Sequence, residues 1–325
     1  MSDGRAGIER QTVAIANALS ELVPVETKLI RLTPRAPQLW LPPDLWPAPL
    51  AALPPDQRRQ LVPPWPDVWI GNGRRAIPYS LHAKAWSGGK SLVVQLQNPR
   101  LSPARFDLVV PPKHDGVTGE NVIETLGAPV WFTRAQIEAA RAQFPVERLD
   151  TDPVILVILG GSSKRHQFTR ARGLAIIDDL KAIATLGMTV LITASRRTPP
   201  EVVELFRAFS IHNEIRFFAT EAKDGPNPYL AWLSQATSAI VTEDSTNMMT
   251  DAAFFGLPIH LLKLQGGDAR FDRLHAGFIE AGAARWYGGR LENWTYAPIR
   301  DAMDVATAIL TRLTNATAYI DGPMN

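Results

Sequence analysis

The sequence predicts an α/β protein built as two Rossmann-like, doubly wound domains. Three observations predict it. Short apolar strands alternate with helical patterns through most of the 325 residues, the rhythm of βαβ units on a parallel sheet. The strands end in small, polar or basic residues, where open α/β sheets place their sites. A chain of this length is also too long for one core, which divides it into about two domains with a boundary near residue 150.

Composition narrows the class. With 46% hydrophobic and 20% charged residues the chain reads as globular and soluble. A formal charge of +2 argues against a dedicated nucleic-acid binder. There is no cysteine, so disulfides and thiolate catalysis are excluded and a reducing compartment is expected. No apolar run approaches the roughly 20 residues that span a bilayer, and the start, Met-Ser-Asp-Gly-Arg, is not that of a signal peptide. The expectation is a cytoplasmic protein, with peripheral membrane contact left open.

In chain order, residues 2–7 form a glycine-bearing turn and residues 8–19 a helix, with Val13, Ile15, Ala16 and Leu19 apolar. Residues 25–32 alternate as a strand. The strand that ordinarily precedes such a glycine turn is missing, so either translation starts at Met1 or a strand lies upstream. Residues 33–66 hold eleven prolines with Trp40, Trp46 and Trp65. Proline fixes φ and removes a donor, so this segment is an excursion rather than one element, packed by its tryptophans or offered to a partner, lipid or membrane.

A strand at 67–71 then leads into Gly71-Asn72-Gly73-Arg74-Arg75 and a helix to about Ala85. Strands at 91–96 and 106–110 follow, ending in Gln97-Asn98-Pro99-Arg100 and in Pro112-Lys113-His114-Asp115. A helix at 133–144 and a polar link at 145–152 close the first half.

The second half opens on the buried strand 154–159 and runs into Gly160-Gly161-Ser162-Ser163-Lys164-Arg165. Two glycines allow close backbone approach and the basic residues follow, which together suit a phosphate cradle, although no Walker A or G-x-G-x-x-G pattern is present. A helix at 169–186 and a strand at 188–193 lead to Ser195-Arg196-Arg197, suited to a diphosphate. A strand at 214–219, a short helix at 228–235 and a strand at 239–241 bring the chain to Thr242-Glu243-Asp244-Ser245-Thr246-Asn247. A capped helix follows that carries Asp251 and stops at Gly256-Leu257-Pro258. A strand at 258–264, a helix at 269–281 and a largely helical tail at 296–313 complete the chain. No His/Asp/Glu cluster has metal-ligand spacing, so no metal is expected.

The two halves, the Gly-Gly-Ser turn and the capped helix with its acidic residue together resemble the glycosyltransferase-B fold, two Rossmann-like domains facing across a cleft. The stretch 240–258 is similar to the nucleotide-sugar site of the peptidoglycan GlcNAc transferases. There a small or hydroxyl residue at the helix start meets the phosphates, and an acidic residue five before the glycine of Gly-Leu-Pro meets the ribose, the position of Asp251. A more extensive resemblance is to the mitochondrial fission Elm family. Its matching runs are residues 2–7, 71–75, 97–100, 112–115, 160–162 and 193–199, with Asp244-Ser245 through Asp251. The resemblance implies a first domain at 1–150, a second at 151–295 and a C-terminal helix at 296–325 packing back on the first.

Two functions follow. One is a glycosyltransferase that uses a nucleoside diphosphate sugar, a UDP-sugar among the candidates, as substrate and holds no tightly bound cofactor. Gly160, Gly161, Ser162, Lys164, Arg165, Ser195, Arg196, Asp244, Ser245, Asn247 and Asp251 would bind the donor. Gly4, Arg5, Gly73, Arg74, Asn98 and Lys113 would face a protein or lipid-linked acceptor, with His114, Asp115 or Asp3 as the base that transfer requires. Glu243 and Asp244 put negative charge beside the expected diphosphate. Asp244 is open to two roles there, helix cap or cation ligand. The other function is a non-catalytic scaffold on the same fold, suggested by the association of plant family members with recruitment of a dynamin-related protein to mitochondria.

Overall fold

The computed structural model describes residues 1–147, 152–184 and 186–320. Residues 148–151 of the expected polar link, and position 150 itself, lie outside them. The chain forms two compact units. One comprises Met1–Trp131 with the segment from Arg300 on, and the other Phe132–Ile299. The division therefore falls ahead of the expected boundary, and the helix at 134–143 goes with the second unit.

The first unit opens with α1 (Ala6–Leu22), followed by the excursion, whose one α-helical turn is α2 (Pro55–Arg58). β1 (Val68–Asn72), α3 (Ile77–Trp86), β2 (Leu92–Leu96) and β3 (Leu108–Val110) build a parallel sheet in the order β1-β2-β3. Strand alternation sends Trp69, Val93 and Val109 to one face, packed with Ile77, Tyr79 and Ala83 of α3. Val94, Leu96, Leu108 and Val110 go to the other, where they meet Ile15, Ala18 and Leu19 of α1. The C-terminal helix shares that second core through Ala302, Val305, Ala306 and Ile309, the spacing of one helical face.

The expected strand at 25–32 does not form. Only Arg31 bridges, to Ser2, because the partner segment is too short to carry a ladder. That partner segment also pairs on its other side. The Met1 amine donates to Ile70 O at 2.6 Å and Asn72 N to Met1 O at 3.1 Å. On the other side Ser2 N donates to Ile30 O and Leu32 N to Ser2 O. Residues 1–3 thus fill a strand position between β1 and the 30–32 segment.

The excursion is folded onto this unit. It makes 3-10 turns at Gln38–Trp40, Pro43–Leu45 and Pro49–Ala52, as its proline spacing allows. Trp46, Leu53 and Leu61 enter the α3-side core, while Trp40 stays 80% exposed.

The second unit contains α4 (Arg134–Gln143), β4 (Val154–Leu159), β5 (His166–Gln167), α5 (Arg170–Ala184), β6 (Thr189–Ala194), α6 (Pro200–His212) and β7 (Arg216–Ala219). It continues with α7 (Tyr229–Gln235), β8 (Ser238–Thr242), α8 (Thr246–Phe254), β9 (Ile259–Leu262), β10 (Gln265–Gly266), α9 (Ala269–Glu280) and β11 (Ala284–Trp286). The C-terminal helix is α10 (Asp301–Ile320). Six strands pair in parallel in the order β11-β9-β8-β4-β6-β7. Every residue of β4 is buried, as a central strand covered on both faces requires. The chain winds outward from β4 through β6 to β7, then returns to build β8, β9 and β11 on the other side. The order therefore reverses between β4 and β8, the switch point at which doubly wound sheets hold their ligands. β5 and β10, a two-residue antiparallel pair, tie the loop after β4 to the loop after β9; neither is visible in the sequence pattern.

No helix among the described residues is long and apolar enough to cross a membrane.

Candidate functional site

The switch point is built around Asp244. Its side chain is fully buried and accepts three hydrogen bonds. They come from Gly161 N at 2.9 Å, the Thr242 hydroxyl at 2.8 Å and the Arg197 guanidinium at 2.9 Å. Thr242 Oγ1 accepts from Gly160 N at 2.7 Å in turn. Ser162 N donates to Arg197 O at 3.2 Å, and the Thr198 hydroxyl donates to Gly160 O. The loops after β4, β6 and β8 are thereby locked to one another. The glycines follow from this crowding. A Cβ on Gly160 would lie 2.0 Å from Asp244 Oδ1, and one on Gly161 would lie 2.0 Å from Arg197 O.

This geometry changes the reading of the first loop. The N–H groups of Gly160, Gly161 and Ser162 are spent inside the protein, so the turn offers them to no phosphate. It also changes the reading of the carboxylates. Asp244 faces a guanidinium and two further donors rather than solvent, and neither caps α8 with its side chain nor sits in a metal cluster; no such cluster occurs among the described residues. Glu243 accepts from Leu264 N at 2.6 Å, and its Oε2 lies 3.9 Å from His275 Nδ1. Burial holds the pKa of His275 below its ordinary value despite the nearby Glu243. The negative charge expected to repel a diphosphate is thus directed inward.

The remaining polar groups lie at the start of α8, where Ser245 is buried at 8% exposure and Thr246 half-buried, and on the rims of the two loops. Ser245 is the N-cap residue of α8, and its hydroxyl makes no capping bond. Asn247 lies half-buried in the first turn. Lys164, Arg196 and Arg197 are exposed, and Ser195 Oγ accepts from Arg197 N at 3.2 Å. Arg165 instead pairs with Asp268, the N-cap of α9. Asp251 is only 1% exposed and accepts from the Tyr229 hydroxyl at 3.1 Å, joining α8 to α7.

The first unit gathers a different subset. Asp3 accepts from Arg5 Nε at 2.9 Å and from Arg5 Nη2 at 2.6 Å. Burial pushes the Asp3 carboxyl up, but the hydrogen bonds and charge of Arg5, with Arg75 behind them, hold it below the usual carboxylate range. The Asp3 carboxylate is thus engaged by the guanidinium of Arg5. Gly73, at φ +81°, sits against Asp3. Arg5, Arg74 and Asp3 share a pocket of about 380 Å³ with Arg75 and residues of the excursion. His114, Asp115, Lys113 and Asn98 do not line it. His114 is buried in the 3-10 turn after β3, 3.7 Å from Asp115, and Asn98 Oδ1 accepts from Arg100 N at 2.8 Å to shape its own loop.

Comparison with known proteins places the chain. Residues 6–313 match the family described as "Mitochondrial fission ELM1". The chain belongs to the mitochondrial fission ELM1 family. The Arabidopsis thaliana protein "Mitochondrial fission protein ELM1" is 24% identical over 277 residues, 76% of this chain and 64% of that protein, so the chain spans just under two thirds of that relative's length. An uncharacterized Rickettsia prowazekii protein is 23% identical over 280 residues, 75% of this chain and 79% of its own. Among solved structures, a UDP-GlcNAc 2-epimerase from Methanocaldococcus jannaschii in complex with UDP-GlcNAc and UDP aligns over 94% of this chain and 97% of its own, with 13% identity and a TM-score of 0.46. The ADP-heptose LPS heptosyltransferase II of E. coli aligns over 97% and 96%, with 11% identity and a TM-score of 0.45.

In this ELM1-family chain several residues matter that sequence reasoning did not single out. Thr242 and Thr198 carry the lock between loops, and Arg197, rather than its neighbour Arg196, holds Asp244. Nothing in an Arg-Arg pair says which side chain turns inward. Arg75 and Trp46 complete the pocket of the first unit, brought there by α3 and by a segment whose proline content hides its path.

Proposed function

We propose that the second unit binds a nucleoside diphosphate sugar and that the chain is a glycosyltransferase-like enzyme acting on it. The observation that carries this reading is the start of α8, which opens at the switch point with its hydroxyl cap unmade, on the side of β8 where the loops after β4 and β6 bear Lys164 and Arg196. A helix N-terminus favours negative charge, and exposed guanidinium and ammonium groups beside it offset that of a diphosphate. Ser245, Asn247, Ser195 and Arg196 are the assigned diphosphate contacts. Asp244 and Arg197 keep the three loops in register, and Asp251 with Tyr229 sets the angle of α8. Transfer to an acceptor hydroxyl calls for a base, and His114, Asp115 and Asp3 are the candidates for it.

Calorimetry against a panel of UDP-, ADP- and GDP-sugars tests the proposal. One member of the panel should bind, and Arg196→Gln should weaken it about tenfold, the loss expected for one charge-assisted hydrogen bond. Arg196 is exposed, so this variant should melt with the parent. Absence of heat across the whole panel at millimolar ligand would sink the reading.

A further inference from the structure

The pocket of the first unit has a composition that the nucleotide reading does not use. It is lined by Asp3, Arg5, Arg74 and Arg75 on one side and by Leu39, Leu41, Pro43 and Trp46 on the other. Three guanidiniums face one carboxylate, and that carboxylate is already committed to Arg5. The side chain of Arg5 is nevertheless 70% exposed, so it keeps donors for a ligand. Arg74 and Arg75 are exposed as well, and Arg74 Nη2 donates to Leu41 O at 3.3 Å, joining the cationic side to the apolar one. The one other acidic group on this part of the excursion, Asp44, is paired with Arg105 at 3.3 Å.

The apolar side is equally distinctive. Trp46 is buried beneath the pocket, whereas Leu41 at its edge is 40% exposed. Adjacent in sequence, Trp40 is 80% and Leu45 62% exposed. Three large apolar side chains in six residues are held in water by a proline-built segment with little freedom to bury them. A purely ionic ligand would use the arginines and leave this wall without purpose, and a purely apolar one would desolvate guanidiniums at a cost.

From this juxtaposition we infer that the pocket binds a phosphate-bearing amphiphile. Arg5, Arg74 and Arg75 hold the phosphate, and Leu39, Leu41, Pro43 and Trp46 hold the apolar group attached to it. Asp3 is a positioning residue that fixes the guanidinium of Arg5. The site shares no residue with the nucleotide site, so either proposal can fail without the other.

The experiment is calorimetry on the full chain with dihexanoyl phosphatidic acid kept below its micelle concentration. Inorganic phosphate and dihexanoyl phosphatidylcholine are the comparison probes. The phosphatidic acid should bind at least tenfold more tightly than either. Arg74→Gln and Arg75→Gln should each weaken it about tenfold, the loss of one charge-assisted hydrogen bond. Leu41→Asn should bring it towards the affinity of inorganic phosphate while leaving the latter unchanged. All three residues are exposed, so the variants should melt with the parent. Equal affinity for inorganic phosphate and phosphatidic acid would overturn the apolar half of the inference, and equal affinity for the two lipids its ionic half. No heat with any probe, or no response to the arginine variants, would overturn it entirely.

Discussion

Asp244→Ala removes the group that joins three loops of the second unit. Gly161 N–H is left buried without its acceptor, at a cost of about 1–3 kcal/mol. Thr242 loses the acceptor of its hydroxyl, about 1 kcal/mol more. The ion pair itself adds less, about 0–1 kcal/mol, because the side chain of Arg197 is 46% exposed and solvent screens it. The expected loss is about 3 kcal/mol, which at roughly 2–4 °C per kcal/mol for a unit of this size lowers its melting temperature by about 6–12 °C. Near-ultraviolet circular dichroism on heating reads this. Arg197→Ala and the double variant complete a cycle. Because the two side chains touch, the single effects should fail to add by at least about 0.5 kcal/mol. A melting temperature for Asp244→Ala within 2 °C of the parent, or strict additivity with Arg197→Ala, would refute the view of Asp244 as a structural hub.

Two other outcomes follow from the same coordinates. Gly161→Ala puts a methyl group 2.0 Å from the carbonyl oxygen of Arg197, where only backbone movement relieves the clash, and should cost about 1–3 kcal/mol in guanidinium titrations. Gly288→Ala, with nothing within 4 Å of the added carbon, should be near neutral and serves as the control. Burial pushes the Asp301 carboxyl up to about 6, only partly offset by backbone donors such as Leu126 N at 2.7 Å. The unfolded chain titrates near 4, so between about pH 4 and 6 the folded state binds more protons and stability falls as pH rises. Asp301→Asn keeps an acceptor and removes the proton. Its melting temperature relative to the parent should climb from pH 4 to 6 and level off above, and parallel curves would rule the effect out.

The sequence by itself determined the architecture. β4 is an uninterrupted apolar run and β6 and β8 are apolar at their centres, legible because a central parallel strand is buried on both faces, and the polar start and Gly256 stop of α8 are local backbone chemistry. It also placed polar and glycine-rich loops after β1, β4, β6 and β8, since strand ends in such sheets are where polar residues collect. It misplaced the strand at 25–32, whose alternation was real but whose partner was three residues long, and it missed β5, β10 and β11, too short to show a period. Only the tertiary structure decided what the polar residues do. Asp244, Gly160 and Gly161 read as ligand groups in sequence, yet hydrogen bonds between loops more than 30 residues apart consume them. Asp3 read as a base in sequence, and only the fold shows the Arg5 guanidinium donating twice to its carboxylate. Arg74, Arg75 and Trp46 become one pocket only when the excursion folds back over α3. Hydrophobic periodicity is a local signal, written every two or three to four residues. The state of a polar side chain depends on what distant chain segments bring within 3 Å of it, and no local pattern records that.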